Sequence, residues 1–323
     1  MTHAATAATA AAPPAALPFE ERHHGWLLGG DVRTPAGAVL SWANPAGSGF
    51  EYPEAMGLLL SLHAEGLARG DALVGEERLH RDGAALAEQL AARVGADGAV
   101  VHGGARYAFD TAIVVTALHR WQLVCPPSQA SLVAGAVSRG RSFLLRCLAQ
   151  RTGQLGAPRD GHWSREFGPH LLKLALALDD PAPVADLVPR FLDECWTPGW
   201  FTCHPGTDRF YPHAHAYALE GLAALEARGI TVPDAPLRDG LRSLISVADR
   251  VPTDVVAQTA RLASLCGRIE DTPPLLQTLR SRASAEGGIR YQQGSTDRNS
   301  WVTVFGLQAL RWARIGADAG WLA

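Results

Sequence analysis

Lysine is nearly absent from this 323-residue sequence, and charge of any kind is scarce. Charged residues make up 19% of the chain, Lys173 is its single lysine, and 28 arginines are scattered along it. The formal net charge is −3. A protein that follows a phosphate backbone needs a clustered basic face, so we expect no nucleic-acid partner.

Membrane and secretion signals are also missing. No apolar run approaches the roughly 20 residues that cross a bilayer, and the N-terminus has no basic region followed by an apolar block. The five cysteines are an odd number without a CxxC spacing, which argues against a disulfide framework or a zinc ribbon. We therefore expect a cytoplasmic protein without a membrane span, whose thiols are mostly buried.

What the sequence does contain is apolar material for one large core. Hydrophobic residues make up 47% of the chain, a composition typical of a protein that buries much of its surface. Residues 1–18 are rich in alanine, threonine and proline, show no apolar periodicity, and are predicted to be a disordered tail. Residues 19–323 are predicted to form a single domain.

Six segments share one pattern, in which a loop rich in glycine, proline and aromatic residues runs into an apolar helix. The polar residues at the loop-to-helix junctions are Glu54, Asp110, His170, His213, Asp254 and Ser300. Their spacing of 43 to 60 residues is that of a helical hairpin with its connections. More amphipathic, charged segments lie between them and predict an outer layer.

Alternating buried and amphipathic helices predict an all-α fold, an α/α toroid with about six inner and five to six outer helices. Five outer segments are clear, and a sixth would come from residues 17–28. Residues 29–49 indicate an extended hairpin or an ordered loop. An open helical solenoid is the alternative, but the uneven spacing and the polar residues gathered in one class of loop favour a closed ring.

In such a toroid the inner helices run parallel, so the loops before them meet at one mouth, where helix dipoles favour anionic groups. Carboxyl and imidazole groups there can transfer protons, tryptophan rings can stack on sugars, and arginine can bind carboxylate or phosphate. The predicted catalytic residues are His213, His170, Glu54 and Asp110. The predicted substrate-binding residues are Tyr52, Tyr107, Arg165, Tyr211, Arg298 and Trp301.

Several of these residues also have a purely structural interpretation. Glu54 could only complement the helix dipole, and Asp110 could be an N-cap. We interpret Asp254 as a cap, in a fifth loop that adds little to the mouth. His213 and His215 are two residues apart and cannot both point into the mouth, and we favour His213.

Three phrases resemble inner-helix segments of the (α/α)6-toroid enzymes that act on sugars: GFEYPEAMGLLLSL, FYPHAHAYALEGL and GGIRYQQGSTDRNSWVTVFGLQAL. These enzymes include the N-acylglucosamine 2-epimerases, the glucuronyl C5-epimerases and the six-hairpin glycosidases. The resemblance extends over about residues 25–315. It implies a carbohydrate-active enzyme that needs no cofactor, whose partner is a small-molecule substrate, a sugar or sugar acid, with a homodimer as a further option.

The resemblance implies first a sugar epimerase or isomerase, in which an inner-helix histidine takes a proton from carbon and a second group returns one. It implies second a glycoside hydrolase in which Glu54 and Asp110 flank the scissile bond. A terpene cyclase or prenyltransferase-like toroid enzyme is a third interpretation, although the chain has no DxDD run. A non-catalytic toroid that binds carbohydrate or peptide is the fourth.

A metal site is the remaining alternative. Cys203 and His204 precede His213 and carry zinc-ligand groups. The ligand spacings of the toroidal prenyltransferase β subunits and lanthionine cyclases are not present, however, so we expect no metal.

Overall fold

The computed structural model describes residues 18–102, 104–156 and 162–322, with His102 described only in its backbone. The tail predicted over residues 1–18 lies outside these residues, apart from Pro18. No helix in the described part of the chain is both long and apolar enough to cross a membrane.

Helices make up most of the described chain. In order they are α1 (Phe19–Leu27), α2 (Pro53–Ala68), α3 (Glu76–Arg93), α4 (Ala108–Trp121), α5 (Pro127–Ala149), α6 (Ala182–Ala185), α7 (Val188–Cys195), α8 (Pro212–Ala227), α9 (Asp234–Val247), α10 (Thr253–Leu265), α11 (Thr272–Ser281) and α12 (Ser300–Ile315). A 3₁₀ helix of eight residues, Pro169–Leu176, lies between α5 and α6 and is called the inner 3₁₀ helix. Shorter 3₁₀ turns are Gly30–Val32, Trp163–Arg165, Ile269–Asp271 and Ala319–Trp321.

The inner layer consists of α2, α4, the inner 3₁₀ helix, α8, α10 and α12. Each of these packs against the next, and α12 packs against α2, so the ring closes. The predicted toroid is confirmed and the open solenoid is not. Burial explains the two layers: every residue from Pro53 to Gly66 in α2 is buried, whereas α3 buries only a stripe along one face.

The sixth outer helix is α1, which packs against α12. It therefore comes from the region that the sequence indicated, and all six outer positions are filled. Glu20 in α1 accepts a hydrogen bond from Arg314 at 3.2 Å, which ties the start of the described chain to its last inner helix.

Short antiparallel strands connect the loops at one end of the barrel. They are β1 (Trp42–Asn44), β2 (Gly47–Ser48), β3 (Val101–His102), β4 (Ala105–Tyr107), β5 (Gln154–Leu155), β6 (Trp196–Thr197), β7 (Trp200–Phe201), β8 (Ile289–Arg290) and β9 (Arg298–Asn299). The sheets have the orders β2-β1-β9-β8, β3-β4-β5 and β6-β7. The β1–β2 hairpin confirms the extended segment expected before α2, and the β1–β9 pairing joins the first repeat to the last.

The third inner segment is a 3₁₀ helix rather than the α-helix of the other repeats. A 3₁₀ helix rises about 2.0 Å per residue against about 1.5 Å for an α-helix. Eight residues therefore reach about as far as roughly 11 α-helical residues. The tighter winding lets a short segment extend along the barrel between its neighbours.

At the far end of the barrel, the last described residues cross the inner helices. The backbone carbonyl of Leu322 accepts a hydrogen bond from Arg120 at 2.8 Å, and that of Trp321 accepts one from Gln308 at 2.5 Å. Leu322 itself is fully buried. This segment covers part of the end opposite the mouth.

Close packing of α8 on the inner 3₁₀ helix gives a test of the fold. A Cβ atom at Gly221 would lie 2.4 Å from the carbonyl carbon of Leu172. We expect Gly221→Ala to destabilise the protein by about 1–3 kcal/mol through overpacking, as measured by urea unfolding. Gly135→Ala is the matched control, because that Cβ would meet only the end of the Arg139 side chain, at 3.5 Å. It should stabilise α5 by roughly 0.5–1 kcal/mol, and equal effects of the two variants would contradict the described packing.

Candidate active site

The first turns of the inner helices meet at one end of the barrel, as the parallel arrangement predicts. The mouth is defined by Tyr52 and Glu54 of the first repeat, Asp110 of α4, His213 and Tyr217 of α8, Asp254 of α10, Trp301 of α12 and Trp163 from the third loop. Proline at the start of α2 and α8 fixes these first turns, because its ring suits the helix start and it has no N–H to satisfy.

Glu54 is held by two tyrosine hydroxyls. Tyr52 donates a hydrogen bond to Glu54 Oε2, and Tyr217 donates one to Oε1 at 3.1 Å. The pKa values of both tyrosines are raised well above the usual value by burial and by the Glu54 charge, so both remain donors. Hydrogen bonds of this kind stabilise the ionised carboxylate.

Asp110 is the second buried carboxyl group of the mouth, with 7% of its surface exposed against 6% for Glu54. Burial raises its pKa well above the usual range, and the neighbouring Glu54 charge raises it further, while Arg165 opposes the rise. The raised pKa favours the protonated form of Asp110. The first residue of α4 is Ala108, and no side chain caps this helix, so Asp110 is not an N-cap.

His213 and Asp254 form the third polar element. His213 Nδ1 lies 3.5 Å from Asp254 Oδ2, and Trp301 Nε1 donates to the same oxygen at 3.4 Å. Interpreting Asp254 as only a cap was wrong. One carboxylate oxygen does accept from the backbone N–H of Val255 at 2.8 Å, but the other faces the mouth, so the fifth loop contributes a charged group.

Trp163 covers one side of the mouth. Its ring centroid lies 5.6 Å from that of His213, 5.9 Å from Tyr211 and 5.1 Å from His170. His170 lies beneath it and is fully buried. Neither ring nitrogen of His170 has a hydrogen-bond partner in the described chain. Burial, and then the neighbouring histidines, lower its pKa to about 3, so His170 is a neutral packing residue that does not reach the mouth.

The other predicted binding residues, apart from Arg298, lie either at the mouth or at a side cavity next to it. The Tyr52 and Trp301 rings pack edge to face at the mouth with centroids 5.6 Å apart, and Arg165 lies over the Tyr107 ring at 5.6 Å. Tyr211 lines a side cavity of about 250 Å³ next to Trp163. The remaining lining residues of that cavity are His162, Cys203, His204, Arg209 and Phe210.

Arg298 is not brought to the mouth, contrary to the prediction. Its guanidinium bonds Asp31 at 3.0 Å and Glu286 at 3.4 Å, and it lies over the Trp26 ring. Successive residues of a strand point to opposite sides, and Arg298 in β9 points to the outer layer. We exclude it from the site.

Neither His215 nor Cys203 belongs to a ligand cluster. His215 Nδ1 accepts from the backbone N–H of Phe201 at 3.1 Å, which assigns it to packing. The His204 ring nitrogen Nδ1 lies 3.1 Å from the carbonyl oxygen of Pro205. Across the described ranges of the chain, no three His, Cys, Asp or Glu side chains are grouped so that they could hold a metal ion.

A larger groove, of about 540 Å³, lies between α8, α9 and α10 away from the mouth. Its arginines pair with its own acidic neighbours, as in the Arg238–Asp234 and Arg268–Asp271 pairs. Its described lining has no imidazole, tyrosine or tryptophan. We therefore assign the candidate site to the mouth, where groups suited to proton transfer converge.

Sequence reasoning missed Tyr217 as a site residue. A usable signal was present, because residue 217 is one turn after His213 and so lies on the same face of α8. Its phenol ring is 4.5 Å from the His213 ring and 4.6 Å from Phe109. Trp163 was also missed, because nothing in the sequence indicates that its ring covers His170.

Solved structures share this architecture. An unsaturated glucuronyl hydrolase specific for heparin superposes with a TM-score of 0.64 at 12% identity, over 91% of this chain and 95% of that one. The chain has the (α/α)6-toroid fold. The unsaturated glucuronyl hydrolase of Bacillus sp. GL1 gives 0.62 at 15% identity, over 95% and 97% of the two chains. An α-1,6-mannanase of Salegentibacter sp. HEL1_6 gives 0.60 at 13%, over 92% and 97%.

These low identities establish the fold alone. No known protein family matches the sequence, and no curated protein matches it. The chemistry of the mouth therefore has to be argued from its own residues.

Because His170 is buried, we predict that the protein loses stability as the pH falls. Its pKa is about 3 when folded, against an ordinary value of 6.5, so the unfolded chain binds an additional proton as the pH falls below 6.5. Between pH 7 and pH 5 this group should cost about 2 kcal/mol of stability. We expect His170→Leu to remove that part of the pH dependence in urea unfolding. An unchanged slope in the variant would show that His170 is charged or solvated in the folded state.

Proposed function

We propose that this protein is a carbohydrate-active enzyme, and that it hydrolyses glycosidic bonds with Asp110 as general acid and Glu54 as base or nucleophile. The observation that carries the proposal is a pair of neighbouring, buried carboxyl groups in different surroundings. Burial and the Glu54 charge raise the pKa of Asp110 well above its usual range, as a general acid requires, while two tyrosine hydroxyls donate to the Glu54 carboxylate. Glycoside hydrolysis requires one protonated and one ionised carboxyl group.

The walls of the mouth support a sugar as the substrate. Trp163, Trp301 and Tyr52 offer apolar faces, and sugar rings stack on such faces through their C–H groups. Tyr211 and Phe210 at the side cavity are 36% and 43% exposed, so aromatic surface extends beyond the catalytic pair. The glycosidases that share this fold act on sugars by their own descriptions, which agrees with this substrate class.

A sugar epimerase or isomerase is the second candidate, and the His213–Asp254 pair favours it. An imidazole 3.5 Å from a buried carboxylate is a suitable base for taking a proton from carbon. For the two proton-transfer groups of an epimerase, the sequence favoured His213 and His170, with Glu54 and Asp110 next. His170 is buried beneath Trp163, and this is why the carboxyl pair ranks first.

The hydrolase proposal is tested on a panel of neutral and acidic oligosaccharides, by measuring release of reducing ends. Glu54→Gln and Asp110→Asn should each lower kcat by about 10²-fold or more, because each removes a proton-transfer group without changing side-chain shape. Glu51→Gln is the matched control: this carboxylate is half-exposed and paired with Arg93, and its loss should leave kcat unchanged. Full activity in both mouth variants would overturn the assignment.

The epimerase candidate is tested in deuterium oxide with the same panel. Inversion by proton transfer should place solvent deuterium at the inverted carbon, and His213→Asn should abolish the exchange. Incorporation without release of reducing ends would place the epimerase first. Release of reducing ends without incorporation of deuterium would exclude the epimerase.

A further inference from the structure

A buried layer of charged and amide side chains lies directly beneath the mouth. Its members, each at most 2% exposed, are Lys173, Glu220, Arg261, Gln308, Glu65 and Arg311. Lys173 Nζ donates to Glu220 Oε2 at 2.8 Å, and Arg261 donates to the other oxygen of the same carboxylate. Arg261 also donates to Gln308 at 2.8 Å, and Gln308 donates to Glu65 at 2.8 Å.

Tyr217 connects this layer to the candidate catalytic pair. The Lys173 ammonium lies 4.5 Å from the centroid of the Tyr217 ring, within the range of a cation–π contact. The hydroxyl of the same tyrosine donates to Glu54 Oε1 at 3.1 Å. One rigid aromatic ring therefore separates a buried cation from the carboxylate proposed to act on substrate.

We propose that Lys173 is a positioning residue for Glu54: it fixes the Tyr217 ring that orients the carboxylate, and its positive charge stabilises the ionised form of that carboxylate. This inference deepens the proposed function and rests on it for the role of Glu54. The contact geometry itself does not depend on which reaction the mouth performs.

Lys173 and Glu54 are both buried, so their charges influence each other. Burial, together with the Arg261 charge, lowers the pKa of Lys173 to about 8, while Glu220 and, more weakly, Glu54 act in the opposite direction. Coupling of this kind is reciprocal. If the Glu54 charge favours protonated Lys173, protonated Lys173 favours ionised Glu54 by the same free energy.

The fact that Lys173 is the only lysine of the chain makes a direct test practical. Protein produced with [ε-¹³C]lysine gives one side-chain carbon signal, whose chemical shift reports protonation of Nζ. We expect Glu54→Gln to lower the pKa of Lys173 by about half a unit, roughly a threefold change in its protonation equilibrium. Glu51→Gln, in the same loop but exposed and paired with Arg93, should leave the pKa unchanged.

The shape of the titration curve of the unmodified protein provides a second readout. Its lysine signal should show a small inflection in the pH range where Glu54 titrates, and Glu54→Gln should remove it. A lysine titration identical in the unmodified protein and in Glu54→Gln, with no inflection, overturns the proposal. This measurement uses no substrate, so its failure is distinguishable from failure of the hydrolase assay.

Once a substrate has been found, the pH dependence of kcat/KM separates positioning from mere packing. In Lys173→Met, the apparent pKa on the acid side of the kcat/KM profile should rise by about the same half unit, because Glu54 then ionises less readily. Lys173→Arg, which keeps the positive charge, should return that apparent pKa toward its value in the unmodified protein. If Lys173→Met fails to fold because Glu220 loses a partner, Lys173→Met combined with Glu220→Gln replaces it. An acid limb that stays in place in a folded variant contradicts the proposal.

Discussion

The parallel direction of the inner helices is the constraint on which the rest of the structure depends. It places six helix N-termini at one mouth, and with them the first-turn residues Glu54, Asp110 and Asp254. Partial positive charge at each N-terminus makes that end suitable for carboxylates, which explains how a chain with so few charges can gather three carboxyl groups in one buried place. The opposite end collects C-termini, where the last described segment crosses the barrel.

Burial then gives similar side chains different roles. Glu54 and Asp110 are almost equally buried, but two tyrosine hydroxyls donate to Glu54, while Asp110 lies next to the Glu54 charge. His170 and His213 begin neighbouring inner segments, but Trp163 covers the first and leaves the second beside Asp254. In each pair the surroundings, rather than the residue type, decide what role each group can have.

Much of the fold was predictable from local patterns. The loop-to-helix junctions gave the inner segments, because a helix buried on all sides is apolar around its whole circumference. Apart from the first hairpin, the short strands were not predicted, and the β1–β9 and β4–β5 pairings join loops far apart in the chain, where no local signal could reveal them. The 3₁₀ winding of Pro169–Leu176 was hidden for the same reason, since it depends on the space between α4 and α8.

The site was predictable as a set of loops and less so as individual side chains. Glu54, Asp110, His213 and the aromatic walls follow from their places at the junctions. Asp254 looks like a cap in sequence because its local bond to Val255 and its contact with His213 involve different oxygens of one carboxylate. The direction of Arg298 depends on the pairing of β9 with β1 and β8, which the sequence does not reveal.

The seam where the ring closes has a consequence for how the chain folds. Asn44 donates a hydrogen bond to Asp297 across 253 residues, at 2.7 Å, and α2 packs against α12. In a linear repeat protein each hairpin is completed by its neighbour, and folding can proceed outward from any point. In this ring α2 precedes the other inner helices along the chain, yet one of its flanks stays uncovered until the final repeat emerges. Non-local closure of this kind slows folding and prolongs exposure of apolar surface, so the last repeat determines whether the whole chain reaches its native state.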